Sequence, residues 1–154
     1  MFLAGHVLVS LIGIATGFVV MAGLLRGREH HGWTVTFLVT TIVTNVSGFG
    51  FAFDHLLPSH IVAIISLVVL GIALVARYAM HLRGVRRSIY VVSIALALYL
   101  NVFVGVVQAF RRVPALRTLA PQQTEPPFLI AQLVVLAVFV ALTIVATRRF
   151  ARGA

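Results

Sequence analysis

Residues 45–66 read NVSGFGFAFDHLLPSHIVAIIS. Two long apolar runs meet here, and between them sit Asp54, His55, Pro58, Ser59 and His60. So short a polar break leaves the chain no room to do anything but turn back. The flanking runs are therefore expected to form an antiparallel helical hairpin.

Of the 154 residues, 61% are hydrophobic and only 10% are charged, and the mean hydropathy is +1.11. A soluble domain of this size needs far more polar surface. The apolar residues also come in blocks too long for ordinary core helices, which makes a lipid bilayer the expected partner. Cysteine is absent, which excludes disulfides, thiolate metal sites and haem attached through CxxCH. The formal charge of +9 comes from twelve arginines with no lysine. They lie in short breaks between apolar runs and at the tail, a pattern of membrane topology rather than nucleic-acid binding.

The expected architecture is all-α: an integral membrane bundle of five transmembrane helices forming a single domain. The helices fall at about 2–25, 33–53, 60–81, 88–110 and 128–147, and a proline-rich loop spans 111–127. The first run lacks a basic leader and a small-residue cleavage site, so it reads as a retained span rather than a signal peptide. Gly13 and Gly17 in it form a GxxxG pair that suits close helix contact in lipid. Thr36, Thr40, Thr44, Ser47 and Gly48 recur at helical spacing in the second run. They are expected to face neighbouring helices. Ser93, Ala97, Asn101, Gly105 and Gln108 do the same in the fourth run, where the Asn101 amide should seek a partner on another helix. The 111–127 connection carries four of the five prolines and suits a short surface helix or an extended lid.

Five spans put the termini on opposite sides. With the amino terminus outside, the inner segments hold eight arginines (26, 28, 83, 86, 87, 148, 149 and 152), and the outer segments hold three (111, 112 and 117). That asymmetry favours an external amino terminus and a cytoplasmic carboxyl terminus. His6, Asp54, His55, His60, Gln108 and Gln132 then share the outer depth, and His30, His31, Arg77 and His81 share the inner one. Asn45, Asn101, Gln108 and Gln132 make up the polar interior.

Three functions suit this arrangement. The first is a redox-type membrane protein holding b-type haem, a quinone or a divalent metal. Axial haem ligation needs neutral imidazoles facing one another from two helices. His6 with His55 or His60 offers an outer pair and His31 with His81 an inner one. Arg77, Arg111 and Arg112 are candidate contacts for propionates or another anion. His6, Asp54, His55 and His60 also have the imidazole and carboxylate chemistry of a zinc, copper or iron site. The competing reading makes Asp54, His55 and His60 a hydrated hairpin tip, with Asp54 or Ser59 capping the next helix. The second function is a small transporter or channel acting as a homo-oligomer, with a polar cavity reaching Asn101. The third is an accessory subunit of a larger membrane complex. No catalytic serine motif, thiolate, phosphate-binding loop or carboxylate pair marks a hydrolase or an ATP-driven pump.

The segments EHHGWTVTFLVTTIVTNVSGF (29–49) and AMHLRGVRRSIY (79–90) give residues 30–110 a resemblance to small bacterial inner-membrane proteins of uncharacterised function. Some of those resemble two-haem cytochromes in helical layout. The resemblance implies a multi-pass protein of the bacterial cytoplasmic membrane and is compatible with a haem site.

Overall fold

The computed structural model describes residues 2–50 and 58–152. The described residues are all-helical, with no strand. Six α-helices follow in order: α1 (Phe2–Leu25), α2 (His31–Gly48), α3 (Pro58–Leu74), α4 (Val85–Arg112), α5 (Pro114–Leu119) and α6 (Pro126–Arg152). A π-helical turn, Val75–Ala79, extends α3. Among the described residues, four segments are long and apolar enough to cross a membrane: Leu3–Leu25, His60–Ala79, Val85–Arg112 and Pro126–Phe150. The 18-residue α2 is not among them, because its threonines, Asn45 and Ser47 dilute an otherwise apolar sequence.

The ends of the helices follow from local chemistry. After α1, Gly27 adopts φ +69° and the Arg28 N–H donates to Gly23 O at 2.9 Å, a glycine-dependent stop that satisfies the last carbonyls. At the end of the π-helical turn the Met80 N–H reaches back five residues to Val75 O. His81, Leu82 and Gly84 then all take positive φ. That compact corner returns the chain into α4. Pro114 opens α5 at a position where its missing N–H costs nothing.

Side-chain bonds fix how the long helices run. Ser47 near the end of α2 meets His6 near the start of α1. Asn45 on α2 meets Ser66 on α3, Arg77 meets Tyr90 on α4, and Gln132 on α6 meets Phe103 on α4. Consecutive long helices are therefore antiparallel, with one end of the bundle marked by His6 and the other by Arg77. The 111–127 connection folds back on α4: Gln123 donates from Nε2 to Val107 O at 2.8 Å, and Ala120 is fully buried.

Packing is uneven along the bundle axis. The largest fully buried side chains include Tyr90, Phe37, Met21, Leu24, Leu70 and Leu98, all from the middle of the bundle towards the Arg77 end. Gly17 is what lets α1 close on this core. A Cβ there would lie 2.9 Å from Phe37 and still nearer to Leu98. Gly13 sits against the Thr40 and Thr41 hydroxyls, at 3.3 and 3.5 Å from the same hypothetical atom. The GxxxG pair is therefore a genuine contact surface. The expected polar face of α2 meets other helices at Thr40, Thr44, Ser47 and Gly48, while Thr36 is exposed. The buried residues of α2 are Thr34, Phe37, Leu38, Thr41 and Asn45. The hydroxyls of Thr36, Thr40 and Thr44 bond to the carbonyls four residues back, of Gly32, Thr36 and Thr40. Helix α6 is peripheral, with 6% of its most apolar stretch buried, against 39% in each of the other three candidate spans.

Candidate functional site

Towards the His6 end the core residues become small. Ser10 on α1, Gly48 on α2, Ala63 and Ser66 on α3 and Gly105 on α4 cannot fill the space between four helices. The result is a cavity of about 460 Å³, within the range of roughly 300–1,000 Å³ typical of small-molecule sites. Its walls are mainly aliphatic, from Leu3, Val7, Leu11, Ile14, Val62, Leu100 and Val104. A few polar groups interrupt them.

Among the described residues, two imidazoles line the cavity from different helices. His60 on α3 is buried at 3% exposure and stacks on Phe49, with ring centroids 5.4 Å apart and planes 13° from parallel. His6 on α1 is half-buried, and its Nδ1 lies 2.8 Å from Ser47 Oγ. That contact holds the ring in place and leaves Nε2 as its other polar atom. Deeper in, Asn45 donates from Nδ2 to Ser66 Oγ at 2.8 Å, and Asn101 donates from Nδ2 to Thr41 Oγ1 at 3.1 Å. Both amides spend an N–H on a neighbouring helix and keep a carbonyl oxygen, an acceptor beside the cavity. At the rim Gln108 is exposed and accepts from Arg112 Nε at 3.1 Å. It belongs to the mouth of the site rather than to the polar interior expected from its helical phase.

The cavity thus brings together His6, Asn45, His60, Asn101, Gln108 and Arg112. Asp54 and His55 lie outside the described residues. Gln132 is buried but placed elsewhere: its Nε2 donates to Phe103 O at 3.2 Å, clamping α6 to α4. Arg111 is exposed, and no residue from 113 to 127 lines the cavity, so the proline-rich loop does not cover it. Among the described residues, no group of three or more His, Asp or Glu side chains is arranged to hold a metal ion.

The Arg77 end holds a second polar cluster of a different kind. The π-helical turn carries Arg77 inward, where its side chain is 6% exposed. Its guanidinium pairs with the Glu29 carboxylate, donates to Tyr90 Oη at 3.1 Å and lies 2.8 Å from His31 Nδ1. Tyr90 Oη in turn donates to Glu29 at 3.2 Å. A guanidinium can only donate, so His31 Nδ1 is the acceptor and the ring proton sits on Nε2. In that state His31 offers no free lone pair to iron. Its expected partner His81 is exposed in the left-handed corner after the π-helical turn. Arg77 is spent on Glu29 and is no contact for an external anion. Glu29 and Tyr90 escaped the sequence reading. The available signal was that Glu29 is the one acid among the inner arginine-bearing segments, so a buried arginine at that depth has no other carboxylate to meet.

No family model, curated protein or solved structure matches the chain.

Proposed function

We propose that this is a multi-pass protein of the bacterial cytoplasmic membrane whose site for a lipophilic redox molecule is the His6–His60 cavity. In this reading the chain crosses five times, with the amino terminus outside. The alternating helix directions support five crossings, and the arginine distribution supports the orientation. Helix α2 serves as the fifth span. Its 18 residues extend about 27 Å, close to the hydrocarbon thickness of a bilayer, and the hydroxyls of Thr36, Thr40 and Thr44 bond to carbonyls of their own helix.

The observation that carries the proposal is the cavity itself. It is aliphatic, about 460 Å³, and fitted with imidazole and amide groups on four helices. A quinone ring suits it best. Such a ring is flat and apolar, and its carbonyl oxygens accept hydrogen bonds from an imidazole N–H, while its hydroquinone form can donate to the Asn45 and Asn101 carbonyls. A haem or a metal draws support from only two described imidazoles, His6 and His60, and so ranks second. Lipid extraction of the purified protein followed by mass spectrometry, together with titration of a short-chain quinone, tests the reading. Stoichiometric quinone and about tenfold weaker binding in His60→Leu are expected. Absence of quinone together with a Soret band would transfer the site to haem, and absence of both would end the redox reading.

The same cavity reaches Asn101 from the His6 end, which supports transport as a second reading. Solute flux into proteoliposomes, abolished by Asn101→Leu, distinguishes it. Roles as a homo-oligomer or as a subunit of a larger complex are read from the mass of the solubilised particle.

A further inference from the structure

At the opposite end from the cavity, three helix ends converge. Arg149 on α6 donates from Nη1 to Leu25 O at the end of α1, 3.2 Å away. The Arg87 guanidinium on α4 lies 4.4 Å from the Phe150 ring centroid, and Tyr90 lies 6.2 Å from the same ring. Arg149 and Arg87 therefore meet at one corner, and the exposed Arg26 and Arg148 are next in the chain to Leu25 and Arg149 there. Glu29, the acid of this end, is committed to Arg77. Nothing acidic is left in the described chain here to balance these charges. The Arg87 Nε–H is buried with no acceptor. Helix α4 also opens with Arg86 and Arg87 and no acid in its first turn, the reverse of what its dipole favours.

Below this corner the same helices expose apolar side chains: Val19 on α1, Ile89 and Val92 on α4, and Ile144 and Val145 on α6. Cations above and exposed aliphatic surface below match one kind of partner. We propose that this corner binds an anionic glycerophospholipid, its phosphate on Arg26, Arg87, Arg148 and Arg149 and its acyl chains along α4 and α6. Basic pockets between helices favour such head groups, and each arginine near an anionic surface contributes about fivefold to binding. A guanidinium also presents paired N–H donors to two phosphate oxygens, where a lysine would offer a point charge.

The test uses the full chain in nanodiscs of phosphatidylcholine alone or mixed with phosphatidylglycerol. Native mass spectrometry is expected to show phosphatidylglycerol retained in preference to phosphatidylcholine, with a higher melting temperature in the mixed discs. The exposed pair Arg26→Gln and Arg148→Gln should weaken retention roughly 25-fold. They avoid the Arg149 bond to Leu25, so a folding defect is not built into the variant. Arg111→Gln with Arg117→Gln, at the other end, should change nothing. Equal retention of the two lipids, or equal loss in both double variants, overturns the proposal. An identical stabilisation by inorganic phosphate in detergent would reassign the corner to a free anion and overturn it for lipid.

Discussion

Replacing Arg77 by methionine keeps most of the aliphatic stem and deletes the guanidinium. Among the described residues, the Glu29 carboxylate would then keep a single donor, the Tyr90 hydroxyl 3.2 Å away, and His31 Nδ1 would lose its donor. Removing one partner of a buried ion pair costs about 3–5 kcal/mol, most of it from the stranded charge. The Glu29 side chain is 23% exposed, against 6% for Arg77, so it can recruit some water. The cost should therefore fall near the lower limit, about 3 kcal/mol. Glu29→Gln strands the Arg77 charge, the more buried of the two, so it should also cost about 3–5 kcal/mol, although the glutamine oxygen still accepts from the guanidinium. The double variant, Glu29→Gln with Arg77→Met, has no stranded charge and should be more stable than Arg77→Met alone. Unfolding by sodium dodecyl sulfate in mixed micelles measures all three, followed by emission from Trp33, the single tryptophan, two residues from His31. A loss below about 1 kcal/mol in Arg77→Met would refute the claim that this network pins the end of the bundle. So would strict additivity in the double variant, since groups in one network must couple.

The packing makes a paired forecast for glycines. Gly17→Val drives a side chain into Phe37 and Leu98 and should cost about 1–3 kcal/mol by the same unfolding assay, whereas Gly71→Ala enters open space and should be silent. Asn101→Leu loses the bond to Thr41 and should cost only about 0.6 kcal/mol, the usual scale for interhelical polar contacts in lipid; a loss of several kcal/mol would mean that the amide supports more than one helix. Glu125 predicts a pH dependence. Desolvation pushes its carboxyl up, but the backbone N–H groups of Gln122, Glu125, Thr124 and Gln123 outweigh it, and the pKa is lowered. The folded turn therefore gains from the charged form above the ordinary glutamate value and loses that gain as pH falls through the lowered one. Amide exchange at Gln122 and Thr124, whose N–H groups each lie 3.0 Å from the carboxylate, should accelerate relative to neighbouring amides on acidification. In Glu125→Gln that pH dependence should vanish.

Apolar run length and break length were enough to place the long helices within a few residues, because both are local properties of the chain. The second helix shows the limit. Its Thr36, Thr40 and Thr44 keep a helical phase, so they read as an interface, yet each hydroxyl has a backbone carbonyl within its own helix to satisfy it. Phase alone cannot tell a threonine that bonds inward from one that bonds across. The Asn101 expectation succeeded because an amide has no comparable partner within its own helix. The grouping of His6 with His60 followed from equal depth in antiparallel helices, which topology supplies. The network of Glu29, His31, Arg77 and Tyr90 did not follow, because a π-helical turn decides where Arg77 points, and a single extra residue per turn leaves no periodic trace in the sequence.

The two ends of the bundle divide the work between them. Burial of Tyr90, Phe37, Met21 and Leu70 together with the Arg77 network supplies rigid packing over the Arg77 half. The His6 half can then carry small residues at Ala63, Ser66 and Gly105 and tolerate a void. An unfilled cavity of this size is costly in a well-packed interior, and here isolated interhelical bonds, His6 to Ser47, Asn45 to Ser66 and Asn101 to Thr41, hold its walls apart. Those bonds follow the perimeter of the space rather than closing it. A cavity that served only as a packing defect would be expected to collapse when a wall side chain is enlarged, with a gain in stability. Gly105→Leu, directed at Ile14 across a 3.6 Å gap from the hypothetical Cβ, puts that to the test. If the space is a binding site, the variant should match or exceed the parent in stability while losing quinone binding. A variant that keeps full binding would place the ligand elsewhere.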